Sequence, residues 1–157
     1  MMKNKIKKYK LSFESDYHLF GIQTDAPSYK FIYFINKDLE IKFVRDKDLE
    51  LLNYNQSVYL PKFVYNDFKR DQDWILVSNR SYYVSNFGDD YNEIFHEKSI
   101  NYLHLIPEYK MFNYILKIEN FNESEKKKIK KIKSLLTVNL ISKLNLNLIK
   151  NKERLVF

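Results

Sequence analysis

Two stretches of this chain suit helices, and each lies between runs that suit strands, so any fold must hold two strand–helix–strand units. The clearer helix spans residues 122–135. Asn122 is placed to cap it, and Glu125 follows three residues on, as a reciprocal capping box requires. Glutamates occupy the first turn and lysines the remainder, which complements the helix dipole. Ile129, Ile132 and Leu136 form the expected buried stripe. The other stretch, residues 25–39, is rich in aromatics and isoleucine, which favour strands. Its ends argue otherwise: Asp25 can cap, Pro27 suits a first turn, and Phe31, Ile32, Ile35 and Leu39 share one face.

Around these helices, residues 11–13, 17–22 and 41–45 read as extended, with Gly21 marking a bulge or a point of close packing. Residues 57–65 and 74–78 form an expected antiparallel hairpin across a polar connection, and Pro61 implies an edge strand or a bulge. Residues 85–99 hold Gly88 and the acids Asp89, Asp90, Glu93 and Glu97, and read as a long mobile loop. Strands are expected again at 102–106, 114–119 and 136–142. Leu144, Leu146 and Leu148 alternate as in a strand, and Leu155, Val156 and Phe157 are expected to dock on the core. The sum is one α+β domain over residues 9–157, a mainly antiparallel sheet with both helices on one face. A ferredoxin-like core with extra strands is the leading architecture, preceded by a flexible basic lead at 1–8.

Several chemistries are excluded or disfavoured. The chain has no cysteine, which removes disulfides, thiolate metal sites and thiol catalysis, and fits a reducing compartment. Glycine occurs only at 21 and 88, so neither a dinucleotide-binding glycine loop nor a P-loop can be built. His18, His96 and His104 have no metal-ligand spacing. No metal and no cofactor is expected. The densest apolar run, residues 31–35, is far short of the roughly 20 residues a membrane helix needs. No membrane association and a cytoplasmic location are therefore expected.

The net charge of +7 raises the question of an anionic partner. Lys, Asn, Ile, Tyr and Phe make up 79 of the 157 residues, whereas Ala26 is the only alanine. That is the signature of A/T-rich codons, so genome bias accounts for the charge better than a nucleic-acid partner does. Only four of the 27 basic residues are arginine, the side chain that grips phosphate bidentately. The lysines at 126, 127, 128, 130, 131 and 133 read as a solvated helix face.

Residues 106–114, Ile-Pro-Glu-Tyr-Lys-Met-Phe-Asn-Tyr, resemble the motif of the IPExxxVDY family, bacterial proteins of about this length known by the motif rather than by an activity. Ile106, Pro107, Glu108 and Tyr114 match; Phe112 stands for Val and Asn113 for Asp. The likeness extends to Leu19-Phe20-Gly21-Ile22, to Asn36, to Ser78-Asn79-Arg80 and to the apolar tail, from about residue 11 to 157. The resemblance implies that Ile106, Pro107, Glu108, Asn113 and Tyr114 are the candidate binding residues. An amide at 113 has no titratable proton, so a catalytic acid is not what this position supplies. A hydrogen-bonding role at a strand start would tolerate the change. Proline ends ladder pairing, so residues 106–108 read as a shaped turn in which Glu108 accepts backbone N–H groups, with Tyr114 a core or rim aromatic.

These observations favour a non-catalytic cytoplasmic binding protein, its partner open and another protein one candidate. The alternative is a small enzyme or ligand sensor with a pocket near Glu108 and Tyr114. Weak RNA association through the lysine-rich helix is the third reading.

Overall fold

The structure, a computed structural model, describes residues 17–53, 56–86 and 98–157. The expected lead at 1–8, the run at 11–13 and the acids at 89, 90, 93 and 97 lie outside the described residues. In chain order the elements are β1 (Tyr17–Thr24), α1 (Ser28–Leu39), β2 (Val44–Asn53), β3 (Gln56–Asp67), β4 (Gln72–Ser78), β5 (Arg80–Asn86) and β6 (Lys98–His104). A 3-10 turn (Pro107–Tyr109) leads to β7 (Tyr114–Glu119), α2 (Glu123–Ser134) and β8 (Val138–Lys143). Short turns at Leu146–Leu148 and Lys152–Leu155 follow.

Six strands make one antiparallel sheet in the order β2-β3-β4-β7-β1-β8. The four strands β4-β7-β1-β8, with α1 after β1 and α2 between β7 and β8, have the ferredoxin-like order. β2 and β3 extend that sheet, and β5 and β6 pair separately as a two-stranded ribbon.

Side-chain alternation splits the core in two. Phe20 and Ile22 of β1, Trp74 and Leu76 of β4, and Leu116 and Ile118 of β7 face both helices, meeting Phe31, Ile35, Leu39 and Ile132. Leu19, Val77 and Ile115 face the opposite way and are covered by Leu105, Ile106, Phe112, Leu144, Ile149 and Leu155. Gly21 lies on this second face, and an added Cβ would meet the Phe112 ring at 2.4 Å. The expected close packing is thus present. Lys117 also points to this face and is buried. Its ammonium donates to the main-chain oxygens of Leu155 (3.3 Å) and Phe157 (3.2 Å), beside the Tyr17 and Phe157 rings.

Several local expectations are corrected. Asp25 does not cap α1: Pro27 is the N-cap residue with no side-chain bond, and the Asp25 carboxylate accepts from Asn139 Nδ2 at 2.8 Å. β2 begins at Val44 rather than Ile41 because Asn36 holds the intervening segment off the sheet. Its amide accepts from Phe43 N–H (2.8 Å) and donates to the Phe43 carbonyl (3.0 Å). Of the two readings of Pro61, the bulge holds and the edge strand does not: the residue sits inside the sheet, opposite the break in β2 pairing between Asp46 and Leu49, where a missing N–H costs least. Residues 85–99 are not loop throughout, since β5 reaches Asn86 and β6 starts at Lys98. Leu136 is fully exposed and Leu135 is buried in its place, because the chain turns extended at Leu135. Leu144, Leu146 and Leu148 do not continue a strand. Asn145 Oδ1 accepts from Asn147 N–H and bends the chain into a turn, leaving Leu148 exposed. Leu155 docks as expected, whereas Val156 is exposed.

The α2 capping box forms as the sequence requires: Asn122 Oδ1 accepts from Ser124 N–H (2.8 Å) and Glu125 Oε2 from Asn122 N–H (2.9 Å). Glu125 is nevertheless fully buried, and its other oxygen meets the Arg70 guanidinium at 3.3 Å. The carboxylate therefore ties the β3–β4 turn to the helix start. Lys128, unlike its neighbours, turns back over the Trp74 ring at 5.3 Å. Burial pushes the Glu125 pKa up, but hydrogen bonds from Ser124, the Asn122 and Glu125 N–H groups and Gln72 outweigh it and hold it below the ordinary glutamate value. A depressed folded-state pKa stabilises fully above the unfolded value of roughly 4.3, and the contribution fades as pH falls through the folded value. Thermal melts from pH 6 downward should show a steeper loss of Tm for wild type than for Glu125→Gln. Parallel curves below pH 4.5 would refute the assignment.

Candidate functional site

The candidate residues of the 106–114 segment do not form one site. Ile106 is buried on the tail-side face, and its N–H donates to Asn79 Oδ1 at 2.9 Å. Pro107 opens the 3-10 turn, and Glu108 is exposed on it. Glu108 Oε1 accepts the Lys150 N–H at 3.1 Å, so the turn fastens the tail, as the proposed backbone-accepting role requires. Its pKa is lowered by its own N–H and that of Lys150, which together outweigh desolvation. Asn113 and Tyr114 lie instead on a separate cavity, and Glu108 is not among its lining residues. A pocket shared by Glu108 and Tyr114 is therefore corrected: the two face different parts of the molecule.

That cavity, about 490 Å³, opens where β1 and β4 end and β7 and α1 begin. Thr24, Asp25, Pro27, Ser28, Ser78 and Arg80 line it with Asn113 and Tyr114. Asn113 pins its floor: Oδ1 accepts Thr24 N–H (2.7 Å), its N–H donates to the Ile22 carbonyl (2.9 Å), and its carbonyl accepts Asn79 N–H (2.8 Å). Asn113 so bridges β1 and β4, and a carboxylate could accept the same Thr24 bond. The Thr24 hydroxyl donates to the Thr137 carbonyl and accepts Ala26 N–H, so it too is committed. Burial pushes the Tyr114 phenol up, while the Ser28 hydrogen bond and nearby Arg45 oppose this, leaving it a neutral hydroxyl at physiological pH.

A second cavity of about 460 Å³ shares Pro61, Ser78 and Arg80 with the first and continues past Ser57, Tyr59, Tyr82 and Tyr83. The two make one cleft from the first turn of α1 to the ribbon, with Arg80 at the junction. Arg80 stacks its guanidinium over the Tyr102 ring at 4.9 Å, and among the described residues no carboxylate pairs with it. Among the described residues two acids line the cleft and both are engaged, Asp25 with Asn139 and Asp48 with Arg45 at 2.5 Å. Beside Arg80 the ribbon face carries the cross-strand pairs Tyr82–Tyr102 and Val84–Ile100. Tyr59, Tyr82 and Tyr102 are 53%, 67% and 58% exposed. The arrangement offers aromatic faces, hydroxyls and one cation to an occupant.

Sequence reasoning missed the second half of this cleft. The Tyr-rich stretch 82–84 carries β-forming residues, but polar neighbours on both sides hid the strand. Arg80 was visible only within Ser78-Asn79-Arg80. Among the described residues no cluster of three or more metal-ligating side chains occurs, and no helix is long and apolar enough to cross a membrane. No protein-family model, curated protein or solved structure matches this chain.

Proposed function

We propose that this chain is a non-catalytic binding protein of the IPExxxVDY type, which takes an extended segment of another protein in the Arg80 cleft. The observation that carries the reading is the continuity of the two cavities through Arg80, flanked by exposed tyrosines. Tyrosine and arginine are the side chains that most often anchor protein interfaces, because each buries a large rigid surface and keeps a polar end. Serine hydroxyls around them supply adaptable hydrogen bonds, as in antibody paratopes. The engaged state of Asp25 and Asp48 leaves Arg80 as the open charge, so the segment would bring a carboxylate next to an apolar or aromatic residue. The motif's own residues support the reading from the other side. Glu108 and Asn113 each turn a side-chain oxygen to a main-chain N–H, as Asn79 outside the motif also does, which leaves the rim, not the motif, to do the recognising. A cytoplasmic setting belongs to the same proposal and rests on the absence of cysteine.

Selection from a random peptide library on the full chain tests it. Enriched peptides should share an acidic residue beside an aromatic or apolar one. Arg80→Ala and Tyr82→Ser, both surface changes, should each weaken them at least tenfold. Failure to enrich any peptide, or binding indifferent to both variants, would overturn the proposal.

A further inference from the structure

At the opposite end of the sheet lies a groove of about 650 Å³ lined by His18, Phe20, Phe121, Ile129 and a ring of charged side chains. Its floor is aromatic: Phe121 packs against Phe20 at 5.4 Å and against the His18 ring at 4.6 Å between centroids. Its rim is cationic, with Lys126 and Lys130 from α2 and Lys143 from the end of β8. Among the described residues the one acid lining the groove, Glu123, already pairs with Lys126. Lys130 and Lys143 have no carboxylate partner among the described residues.

We infer that this groove binds a small amphiphile, an unbranched apolar chain ending in a carboxylate. Three features fix the class. The volume falls within the range of small-molecule pockets, roughly 300–1,000 Å³, and the floor is apolar enough to hold a hydrocarbon. The positive charge is concentrated at the mouth, where a carboxylate head would meet lysines while its chain lay on Phe20, Phe121 and Ile129. Finally, Lys130 and Lys143 carry no carboxylate partner among the described residues, so a carboxylate head would meet open cations without displacing an existing ion pair. The groove is distinct from the Arg80 cleft and does not depend on it.

Isothermal titration of the full chain with octanoate, decanoate and dodecanoate, each below its micellar concentration, tests the assignment. Affinity should rise roughly fourfold per added methylene. Dodecyltrimethylammonium, of the same chain length and opposite charge, should bind at least tenfold more weakly than dodecanoate. The surface variant Lys126→Gln/Lys130→Gln/Lys143→Gln should lose dodecanoate binding at least tenfold with an unchanged melt. The Ile129 methyl resonances should shift on titration while those of Ile115, on the other face of the sheet, do not. No heat with any carboxylate, equal binding of cation and anion, or shifts confined to another surface would each overturn the proposal. So would ultracentrifugation showing that a second copy of the chain, and not the carboxylate, fills the groove.

Discussion

Asn79→Ala should remove a large share of this protein's stability. Asn79 is wholly buried, and every polar group on it is used. Its Nδ2 donates to the carbonyls of Tyr109 and Phe112, each at 3.0 Å, and its Oδ1 accepts the Ile106 N–H at 2.9 Å. Its own main chain donates to the Asn113 carbonyl and accepts from Leu105 N–H, both at 2.8 Å. One side chain therefore shapes the whole path from β6 to β7. Alanine keeps the main-chain bonds but strips the buried Phe112 carbonyl and Ile106 N–H of their side-chain partner, each costing about 1–3 kcal/mol, while the Tyr109 carbonyl still accepts Phe112 N–H. The total, roughly 2–6 kcal/mol, reaches the lower end of the stability of a typical domain, about 5–15 kcal/mol. Urea denaturation should show the drop, and hydrogen exchange should show protection lost first at Leu105 and Ile106. Asn79→Asp should fare no better, because a carboxylate cannot donate to two carbonyls. An unfolding free energy within about 1 kcal/mol of wild type for either variant would disprove the clamp.

Gly21→Ala should cost about 2–3 kcal/mol, at the upper part of the range for overpacking a filled core. The argument is steric and not conformational. The new methyl would overlap the Phe112 ring at Cγ and Cδ2, close to where the ring joins the chain, so a small rotation cannot clear it. Phe112 is itself buried between Tyr109 and the sheet and has little room to retreat. A second substitution supplies the control. Phe112→Val alone should destabilise by opening a cavity. In that background, however, Gly21→Ala should be nearly free or mildly stabilising, giving a coupling of at least 1 kcal/mol in a double-mutant cycle. Additive losses would show that the two positions do not compete for one space.

The parts of the fold that were legible in the sequence are those fixed by local chemistry. Asn122 and Glu125 announce the start of α2 because a capping box is closed within four residues. Phe31, Ile32, Ile35 and Leu39 reveal α1 by spacing alone, against the strand propensity of their residue types. The parts that were not legible depend on partners distant in sequence. The burial of Glu125 needs Arg70, fifty-five positions away. Lys128 reads as one more solvated lysine until Trp74 is brought beneath it. Leu136 continues the helical spacing, but α2 ends before it, so the stripe predicts a burial the backbone does not deliver. The same distinction holds for the site. Asn113 was readable as a hydrogen-bonding residue at a strand start, and it is one. Its separation from Glu108 was not readable, since six residues of chain can stay together or part, and here the 3-10 turn sends them to different surfaces. Arg80 gains meaning only when Pro61 and Tyr82 arrive from other strands.

The position of Lys117 bears on how the chain is made. Residues 144–157, which complete the cover of its face of the sheet, are synthesised after β8, the last of the described strands. Until they settle, Leu19, Val77 and Ile115 are covered only by Leu105, Ile106 and Phe112, and the buried ammonium lacks its partners from the tail. A charge pointing inward from a strand discourages sheets from sticking to one another. Once the tail arrives, its main-chain oxygens and the Phe157 ring take over that same ammonium, so the residue that guards the unfinished protein becomes a fastener of the finished one.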